Sequence, residues 1–354
     1  MGFAFGHFKR GLAVMHTAAT TQLKDEIVSV IGGSGFIGRH VVAALARSGY
    51  RVRVLCRRPD LAYFLQPLGI PGQIALVQAN VRKLASLKSA LAGSHAVMNL
   101  VGIIAERGAQ TFEAIHVHGA EKAARAAREA GVDRFIHMSA LGADFGSPSR
   151  YGRTKAEGER RVRAAMPQAV ILRPSVVVGP EDSFFNKFAE MARFSPVLPL
   201  IGGGKTRFQP VYVEDVAKAA VKALEDETLS GKTLELGGPE VWTFRELMEY
   251  MLMVIRRRRM LVSVPFGVAK VMAWPAQFLP GPPLTPDQVK MLMRNNVVSD
   301  KARAEGRTLE GIGIEPDGIE AVVPDYLVRY RPAGQFTIVQ EALAELSEQE
   351  QTAR

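Results

Sequence analysis

The chain has 354 residues, of which 47% are hydrophobic, so it is long enough for a large core and for two or three domains. Its formal net charge of +10 favours an anionic partner, such as phosphate groups, an acidic protein surface or anionic lipid. The single cysteine, Cys56, excludes an intrachain disulfide. Because zinc-ligand spacing and nucleic-acid-binding modules are absent, the sequence predicts neither a metal site nor a nucleic-acid partner.

The first predicted segment is a basic extension over residues 1–24. It contains Lys9, Arg10 and Lys24, several alanines and threonines, and no acidic residue. This composition resembles a weak transit peptide. A disordered bacterial extension and an upstream start site ahead of Met15 are the alternatives. No apolar stretch of the sequence is long and uninterrupted enough to span a bilayer.

A glycine-rich run separates a predicted strand at 27–31 from a predicted helix at 36–48, and a second strand follows at 50–56. This order within about thirty residues is typical of a dinucleotide-binding fingerprint. The glycines let the backbone turn tightly and approach the pyrophosphate, and the helix N-terminus offers free N–H groups to the phosphates. The alternative is an ordinary βα turn that tolerates glycine. The predicted cofactor-binding residues of the run are Gly32, Gly33, Ser34, Gly35, Phe36, Ile37 and Gly38.

The residues after the second strand indicate which nucleotide is bound. An NAD-binding protein usually places an acidic residue there to bond the ribose 2′-hydroxyl, whereas this chain has Arg57 and Arg58. Two guanidinium groups suit a 2′-phosphate because each can hold phosphate oxygens bidentately. The sequence therefore predicts NADP(H) as the cofactor. Two solvated surface arginines, or a ribose contact from Asp60, are the alternatives.

Strands and helices continue to alternate along the first half of the chain. Further strands are predicted at 74–78, 95–101, 134–138 and 169–172, and helices at 111–130 and 150–165. This alternation predicts an α/β fold with a doubly wound parallel sheet of the Rossmann type. Ligands of such a sheet bind at the carboxyl ends of its strands, where Glu106 and Arg107 are second-rank candidates for the nicotinamide end.

The character of the chain changes after this alternation. Residues 195–204 carry two prolines and three consecutive glycines and are predicted to form a loop, before a strand at 208–213 and a helix at 214–224. From residue 261 the chain becomes apolar and rich in proline. These features predict an NAD(P)-binding Rossmann domain over 25–255, a smaller C-terminal docking lobe over 256–343 and a polar tail over 344–354.

Tyr151 and Lys155 form a second chemical pattern on the helix predicted at 150–165. Positions i and i+4 share one face of a helix, so both side chains can act at one site. The lysine can bind the nicotinamide ribose, and its charge is expected to lower the pKa of the phenol towards the range of a general acid or base. The pattern also occurs on ordinary amphipathic helices, which is the alternative interpretation.

With these residues the chain resembles the short-chain dehydrogenase/reductase superfamily, in its extended, epimerase-like branch. The resemblance covers about 26–236 and includes the motifs Asn99-Leu-Val-Gly102, Arg173-Pro-Ser175 and Gln209-Pro-Val-Tyr-Val-Glu-Asp215. It implies that the cofactor is also contacted at the strand ends and by the helix that follows the fifth strand. The further cofactor-binding residues that it implies are Asn80, Val81, Val101, Gly102, Ser139, Tyr151, Lys155, Pro174 and Ser175.

One position departs from that branch, whose active members usually hold a Ser or Thr just beyond the fifth strand to polarise the substrate. Ser139 is present at the strand end, but Ala140 and Leu141 occupy the positions expected for the catalytic hydroxyl. The departure favours cofactor binding without turnover. The alternative is an independent NADPH-dependent reductase or sugar-nucleotide epimerase or dehydratase, with Tyr151 and Lys155 as its catalytic residues.

Motifs spread along the chain support a narrower resemblance. They are Phe135-Ile-His-Met-Ser-Ala-Leu-Gly-Ala143, Leu284-Thr-Pro-Asp-Gln-Val289, Asn295-Asn-Val-Val-Ser299, Gly313-Ile-Glu-Pro316 and Pro324-Asp-Tyr-Leu327. Together they resemble the nucleotide-binding accessory subunits of respiratory complex I, the proton-pumping NADH:ubiquinone oxidoreductase. The resemblance implies a tightly held NADPH, other complex I subunits as partners, and a role in stabilising the complex rather than in carrying electrons. An assembly factor that leaves the finished complex is a further alternative.

The same resemblance implies a peripheral location, on the cytoplasmic face of a bacterial inner membrane or on the matrix side of the mitochondrial inner membrane. A run of four arginines, Arg256, Arg257, Arg258 and Arg259, follows a helix predicted at 244–255. Beside the apolar stretch at 264–279, this run favours a contact with anionic lipid or with a partner protein. A solvated helix end that interacts with the helix dipole, and burial of the apolar stretch in the core, are the alternatives.

Overall fold

The computed structural model describes residues 23–278 and 284–332. All of the predicted basic extension except Leu23 and Lys24, the whole polar tail and the end of the docking lobe lie outside these residues. The strands are β1 (Ile27–Ile31), β2 (Arg51–Cys56), β3 (Ile74–Gln78), β4 (Ala96–Asn99), β5 (Arg134–Met138), β6 (Val170–Pro174), β7 (Val177–Val178), β8 (Val197–Ile201), β9 (Arg207–Phe208), β10 (Val211–Tyr212), β11 (Thr233–Leu236), β12 (Trp242–Thr243) and β13 (Met260–Val264). The helices are α1 (Phe36–Arg47), α2 (Leu84–Leu91), α3 (His118–Glu129), α4 (Arg150–Ala165), α5 (Phe185–Phe194), α6 (Val213–Glu225), α7 (Phe244–Val254), α8 (Phe266–Ala276), α9 (Pro286–Met291), α10 (Asp300–Ala304) and α11 (Ile319–Leu327).

Seven parallel strands form the central sheet, in the order β11-β6-β5-β4-β1-β2-β3. Their interiors are apolar and rich in β-branched residues, as expected for strands covered on both faces. Val30 of β1, for example, lies opposite Val54 of β2 and Met98 of β4. The chain leaves β1 towards β2 and β3 and later returns to β4 on the other side, so the topological switch point lies between β1 and β4. The predicted doubly wound parallel sheet is confirmed.

Helices cover both faces of this sheet. On one face, α1 and α6 pack through residues such as Val41, Val42 and Val216. On the other face, α2, α3 and α4 pack through residues such as Leu87 and Val162. The carboxyl ends of the strands are left uncovered by these helices and form the edge at which a nucleotide binds in such folds.

A smaller second core adjoins the carboxyl edge of the sheet. It contains Phe185, Phe244 and Met251 from the middle of the chain together with Val323 and Leu327 from α11. Three two-stranded sheets frame this core, formed by the pairs β7–β10, β9–β12 and β8–β13. Residues from both sides of position 256 therefore share one apolar cluster.

Two sequence predictions are wrong in this region. Residues 195–204, predicted as a loop, contain β8, which pairs in parallel with β13. Leu198 and Leu200 are fully buried there, and the strand tolerates Pro199 because it is paired on one side only. The strand predicted at 208–213 is divided into β9 and β10, because Pro210 cannot donate a ladder hydrogen bond.

None of the helices in the described part of the chain has both the length and the apolar composition that crossing a bilayer requires.

Candidate functional site

The glycine run forms the turn between β1 and α1, and two of its glycines are required by the protein itself. Gly32 has φ +84°, and a Cβ on it would lie 2.9 Å from Cγ2 of Val101. A Cβ on Gly38 would lie 2.3 Å from the carbonyl oxygen of Gly32 and 2.6 Å from Cα of Gly33. The first turn of α1 therefore packs directly on the loop that precedes it.

Gly35 differs from these two, because no protein atom lies close to its missing side chain. A Cβ on Gly35 would meet only the carbonyl oxygen of Gly32, at 3.4 Å. Gly35 is also the N-cap of α1, which has no side-chain cap and no acidic residue in its first turn. The free N–H groups and the positive end of the helix dipole are thus available to an anion. This open cradle fits the pyrophosphate of a dinucleotide.

Ser34, Phe36 and Ile37 complete this part of the site. Ser34 is half-buried in the turn. The ring of Phe36 packs edge-on against His40, with centroids 5.9 Å apart. Ile37 packs against the core beneath α1. Their positions keep the first turn of α1 fixed relative to the sheet.

The arginines after β2 are exposed and already have polar partners. Arg57 donates from Nη1 to Oε1 of Gln110 at 2.9 Å. Arg58 pairs with Asp60, with Nη2 and Oδ2 2.9 Å apart. The hydrogen bond from Arg58 lowers the pKa of the Asp60 carboxyl, so this carboxylate is already paired with Arg58. A 2′-phosphate would compete with these exposed carboxylate and amide groups for the guanidiniums.

Sequence reasoning did not assign Arg39, an arginine in the first turn of the helix that follows the glycine run. Arg39 follows Gly38 in the first turn of α1, and its guanidinium lies 4.7 Å from the ring centroid of Phe64. Arg39 donates from Nη1 to Glu181 at 3.0 Å, whereas its Nε is buried without a hydrogen-bond partner among the described residues. An orphaned donor in an otherwise paired side chain fits an anionic ligand. Its position directly after the last glycine was the signal in the sequence.

Tyr151 and Lys155 lie together on α4, as their spacing predicted. The Tyr151 ring packs edge-on against His116 and Phe112, with centroids 5.2 and 5.9 Å away. Nζ of Lys155 lies 5.9 Å from the Tyr151 ring centroid and donates to the carbonyl oxygen of Met138 at 3.1 Å. A Cβ on Gly102 would lie 3.3 Å from that Nζ. The predicted residues Gly102, Tyr151 and Lys155 are therefore brought to one place.

The predicted lowering of the Tyr151 pKa is wrong. Burial raises the pKa of the phenol to about 12, and burial lowers the pKa of Lys155 to about 8. The cause is desolvation, which disfavours the phenolate and the ammonium alike, and for Lys155 the charge of Glu159 offsets only part of it. The pair therefore keeps the phenol as a neutral hydrogen-bonding group at physiological pH.

Two buried histidines, His116 and His137, lie beside this pair. His116 accepts from the Ile103 N–H on Nε2 at 3.1 Å, so the neutral ring donates from Nδ1 to Oγ1 of Thr154 at 3.2 Å. His137 lies 3.2 Å from the side-chain amide of Asn99. Desolvation, followed by the charge of Lys155, lowers the pKa of His116 to about 2 and that of His137 to about 3. Both rings are therefore uncharged in the folded protein.

The backbone around His116 is unusual. Residues Glu113–Val117 form a π-helical turn directly before α3. Such turns are rare and are frequent at functional sites. Here the turn places His116 between the loop after β4 and the first turn of α4, so it links two predicted cofactor-binding segments.

The remaining predicted residues use their side chains within the protein. The Ser139 hydroxyl donates to Glu159, which also binds Arg173. Ser175 donates to Oδ1 of Asn296 at 2.7 Å. The Asn80 side chain accepts from the N–H of Arg82 at 3.0 Å and shapes its own turn. These three polar side chains are therefore bonded within the protein, and Val81 and Pro174 carry apolar side chains.

The position expected for the catalytic hydroxyl is apolar and filled. Leu141 is 7% exposed and packs in one cluster with Val298 and Ala302 of the C-terminal lobe. Its N–H donates to the carbonyl oxygen of Pro174 at 2.9 Å. This position therefore holds the lobe against the sheet edge and supplies no donor to a substrate oxygen. Across 23–278 and 284–332, no group of three or more His, Cys, Asp or Glu side chains could hold a metal ion.

Comparisons with known proteins bear on this geometry. The NAD dependent epimerase/dehydratase family matches residues 28–237. The chain is also 38% identical over 335 residues to NADH dehydrogenase (ubiquinone) 1 alpha subcomplex subunit 9, mitochondrial, of Arabidopsis thaliana, covering 91% of this chain and 82% of that protein. The chain belongs to this epimerase/dehydratase family, in the branch of the subunit 9 proteins.

An enzyme is also among this family member's relatives. The ceramide reductase of Caulobacter vibrioides is 34% identical over 239 residues, which cover 68% of this chain and 74% of that enzyme. Among solved structures, the UDP-glucose 4-epimerase of Thermotoga maritima covers 85% of this chain with a TM-score of 0.65 and 19% identity. The matched region spans 98% of the epimerase chain. The likeness confirms the fold.

Proposed function

We propose that this family member is an NADP(H)-binding accessory subunit of the proton-pumping NADH:ubiquinone oxidoreductase, and that it stabilises the complex rather than carrying electrons. The observation that carries the proposal is the contrast within the site. The dinucleotide turn is open around Gly35, whereas the position of the catalytic hydroxyl is occupied by buried Leu141. The subunit 9 relative covers the lobe that fills this position, because the match extends over 91% of the chain.

The nucleotide is NADP(H) in this proposal. Arg57 and Arg58 follow β2, where an acidic residue would favour NAD, and Arg39 adds a third guanidinium with an orphaned Nε. Charge-assisted hydrogen bonds to a 2′-phosphate contribute roughly 1.5–3 kcal/mol, or about tenfold or more in affinity. The glycine turn would hold the pyrophosphate of the nucleotide, and the arginines would hold the 2′-phosphate on its ribose. The helix that carries Tyr151 and Lys155 would hold the nicotinamide end, as the family fold implies.

The nucleotide is tested by denaturing purified protein and identifying what it releases by chromatography and mass spectrometry. We expect NADP(H). Release of NAD(H) alone, or equal affinity of the refolded protein for both nucleotides, would contradict this choice. Glutamine at both Arg57 and Arg58 should reduce the preference for NADP(H) over NAD(H) without abolishing binding of either.

The partner is tested by co-purification. Membranes of the native organism are solubilised in mild detergent and separated by size, and the chain is followed by mass spectrometry. We expect it to migrate with NADH:quinone reductase activity in the finished complex. Recovery only in smaller subcomplexes would indicate an assembly factor, and recovery only as free protein in cells that contain complex I would contradict the proposal.

A working reductase is the second candidate, because one relative at 34% identity is named a ceramide reductase. Tyr151 and Lys155 lie together on α4, as such an activity requires. The test is multiple-turnover oxidation of NADPH by purified protein with long-chain lipids that carry a carbonyl group. Robust turnover that Tyr151→Phe eliminates would favour the reductase over the accessory subunit.

We further propose a peripheral position at the membrane, with contacts to anionic lipid. Of the four arginines after α7, Arg257 donates from Nε to the carbonyl oxygen of Tyr330 at 2.9 Å, and Arg259 donates to that of Ala192 at 2.7 Å. All four arginines line a groove of about 720 Å³, and Arg256 and Arg258 are the two whose side chains are exposed. Arg256 and Arg258 are therefore the pair that anionic headgroups would meet.

The neighbouring helix α8 supplies an apolar surface. Ala269 and Ala273 are buried on its inner face, yet Val271 is 74% exposed and Trp274 65% exposed on its outer face, and Phe278, just beyond its end, is 73% exposed. An apolar helix face beside exposed arginines is typical of a helix that lies in a membrane interface.

Vesicle flotation separates the two parts of this surface. Wild-type protein should float with vesicles that contain phosphatidylserine and less with phosphatidylcholine alone. Arg256→Glu/Arg258→Glu should remove the dependence on anionic lipid, and Trp274→Ser should weaken binding to both vesicle types. The control Lys83→Glu/Lys301→Glu makes the same charge change on exposed lysines elsewhere. Equal loss in the control would show a general effect of charge.

A further inference from the structure

The N-terminus of α4 is held by a carboxylate from the C-terminal lobe. Asp287 accepts from the N–H of Arg150 on Oδ1 at 2.7 Å and from the N–H of Tyr151 on Oδ2 at 3.0 Å. The N–H of Gly152 donates to the N-cap Ser149 at 3.0 Å. The first three amides of the helix are thus bonded, and the negative charge lies where the helix dipole favours it. Asp287 and Tyr151 are 136 residues apart in the sequence, so no local sequence pattern predicts this contact.

Asp287 is itself held firmly in place. It lies in the first turn of α9, whose capping box joins Thr285 and Gln288 through reciprocal side-chain to backbone bonds. A stretched side chain bond runs from Nε2 of Gln288 to the carbonyl oxygen of Ile104, at 3.4 Å. The Asp287 carboxylate therefore contacts α4 from a short helix, α9, whose own N-terminus is capped by hydrogen bonds.

The segment that follows α9 continues along the carboxyl edge of the sheet. Arg294 pairs with Asp144 after β5, with Nη1 and Oδ2 2.8 Å apart. Asn296 accepts from Ser175 after β6 at 2.7 Å and from the N–H of Val176 at 3.1 Å. With the Gln288 contact after β4, the segment 285–296 is bonded to the loops that follow β4, β5 and β6. These loops carry several of the predicted cofactor contacts.

We propose that Asp287 is a positioning residue, which couples the C-terminal lobe to the nucleotide site through α4. The inference rests on the proposed binding of NADP(H). Tyr151 is one of the two residues whose amides Asp287 binds, and Lys155 lies one turn further along the same helix face. A lobe that is docked holds α4, and α4 holds the nicotinamide end. Because such coupling is reciprocal, bound nucleotide stabilises the lobe by the same factor.

The coupling explains how a nucleotide outside the electron path could matter to an accessory subunit. It would act as a ligand of the folded state whose binding fixes the lobe that docks. A carboxylate that serves only the local stability of α9 would leave α4 and the nucleotide unaffected when it is removed.

The test compares Asp287→Ala and Asp287→Asn with Asp287→Glu and with the control Asp133→Asn, an exposed aspartate before β5. Amide hydrogen exchange of the peptide over 148–153 reports on α4 directly. The rate of NADPH release, measured by fluorescence after dilution, reports on the nucleotide. Proteolysis of the lobe with and without NADPH reports on the reverse direction.

We expect faster exchange at 148–153 and NADPH release accelerated roughly 5- to 150-fold in Asp287→Ala. Asp287→Asn, which keeps one acceptor and loses the charge, should be intermediate, and Asp287→Glu should recover part of the loss. Asp133→Asn should match wild type. Faster exchange with unchanged NADPH release, or unchanged exchange at 148–153, would overturn the coupling. Protein that never binds NADP(H) but shows the exchange effect would instead contradict the proposed function.

Discussion

The N-termini of α1 and α4 lie at the same edge of the sheet, yet the protein treats them in opposite ways. α1 begins at Gly35 with no side-chain cap and no acidic residue in its first turn. α4 begins at Ser149, which caps Gly152, and its next two amides bind the carboxylate of Asp287. The N-terminal amides of α1 are therefore available to an external anion. Those of α4 are already bonded to a carboxylate of the chain itself.

This difference fits the proposed function, in which the chain binds a nucleotide without turning over a substrate. Unsatisfied amides at a helix N-terminus favour a phosphate ligand, so the α1 end retains the means to hold a dinucleotide. At the α4 end, the polar groups of Ser139 and Ser175 have partners within the protein, and Leu141 packs against Val298. In the proposed function, the chain keeps an open phosphate end, and its own C-terminal segment packs at the end where an epimerase-like enzyme would bind a substrate.

The largest expected effect comes from filling the space beneath α1. Gly38→Ala places a Cβ 2.3 Å from the backbone oxygen of Gly32, which cannot move away without shifting the turn. We expect the free energy of unfolding of nucleotide-free protein to fall by about 3 kcal/mol or more, as measured by urea titration. Gly267→Ala in α8 is the control, because no atom lies within 4 Å of its added Cβ. A mild effect of Gly38→Ala would show that the turn can relax.

Gly35→Val should break the α1 end without breaking the fold. Its Cβ meets one protein atom, at 3.4 Å, but a branched side chain would occupy the space that the pyrophosphate needs. We expect loss of bound nucleotide and of the stabilisation that ligand binding adds, about 2.7 kcal/mol at a hundredfold excess over Kd. The measurement is nucleotide content together with the change in Tm on adding NADPH. Wild-type nucleotide content in this variant would place the phosphates elsewhere.

The α4 end should make the protein sensitive to acid. The pKa values of His116 and His137, about 2 and about 3, lie below the ordinary value of 6.5. Between pH 6.5 and about pH 3 these histidines bind more protons in the unfolded chain than in the folded protein. Their contribution to the free energy of unfolding is therefore fully present above pH 6.5 and decreases as the pH falls towards 3. Each histidine contributes a slope of up to about 1.4 kcal/mol per pH unit.

His137→Gln tests this slope by removing one of the two groups. We expect the urea midpoint to fall less steeply between about pH 7 and about pH 4.5 in the variant than in wild type. His95→Gln, an exposed histidine just before β4, should leave the slope unchanged. An identical slope in all three proteins would mean that other groups govern acid unfolding.

The smallest expected effect is that of removing the phenol oxygen. Tyr151→Phe keeps the ring contacts with His116 and Phe112, and the hydroxyl makes no hydrogen bond with a residue in the described part of the chain. We expect unchanged rotenone-sensitive NADH oxidation in membranes and a change in unfolding free energy below about 1 kcal/mol. Lys155→Ala, by contrast, should weaken NADPH retention. Loss of NADH oxidation in Tyr151→Phe membranes would show that the phenol has a functional role, which the comparison of the two helix ends does not predict.

Much of the fold follows from patterns that are local in the sequence. The glycine run, the alternation of apolar strands and amphipathic helices, and the spacing of Tyr151 and Lys155 depend on neighbouring residues alone. They predicted the parallel sheet, the turn at Gly32–Gly38 and the shared helix face, and the structure contains all of them. Local patterns suffice here because backbone geometry fixes which residues within one turn or one strand share a face.

Only the tertiary structure decided the properties that depend on distant partners. The strand β8 exists because β13, some sixty residues later, pairs with it, and Asp287 caps α4 across 136 residues. The pKa of Tyr151 is raised because the side chain is buried where its helix packs against the π-helical turn. The spacing of residues in the sequence does not predict this desolvation. Desolvation, pairing and capping depend on what the folded chain places beside a group. The sequence therefore determined which chemistry this protein carries, and the packing of its C-terminal lobe decided which part of that chemistry stays open.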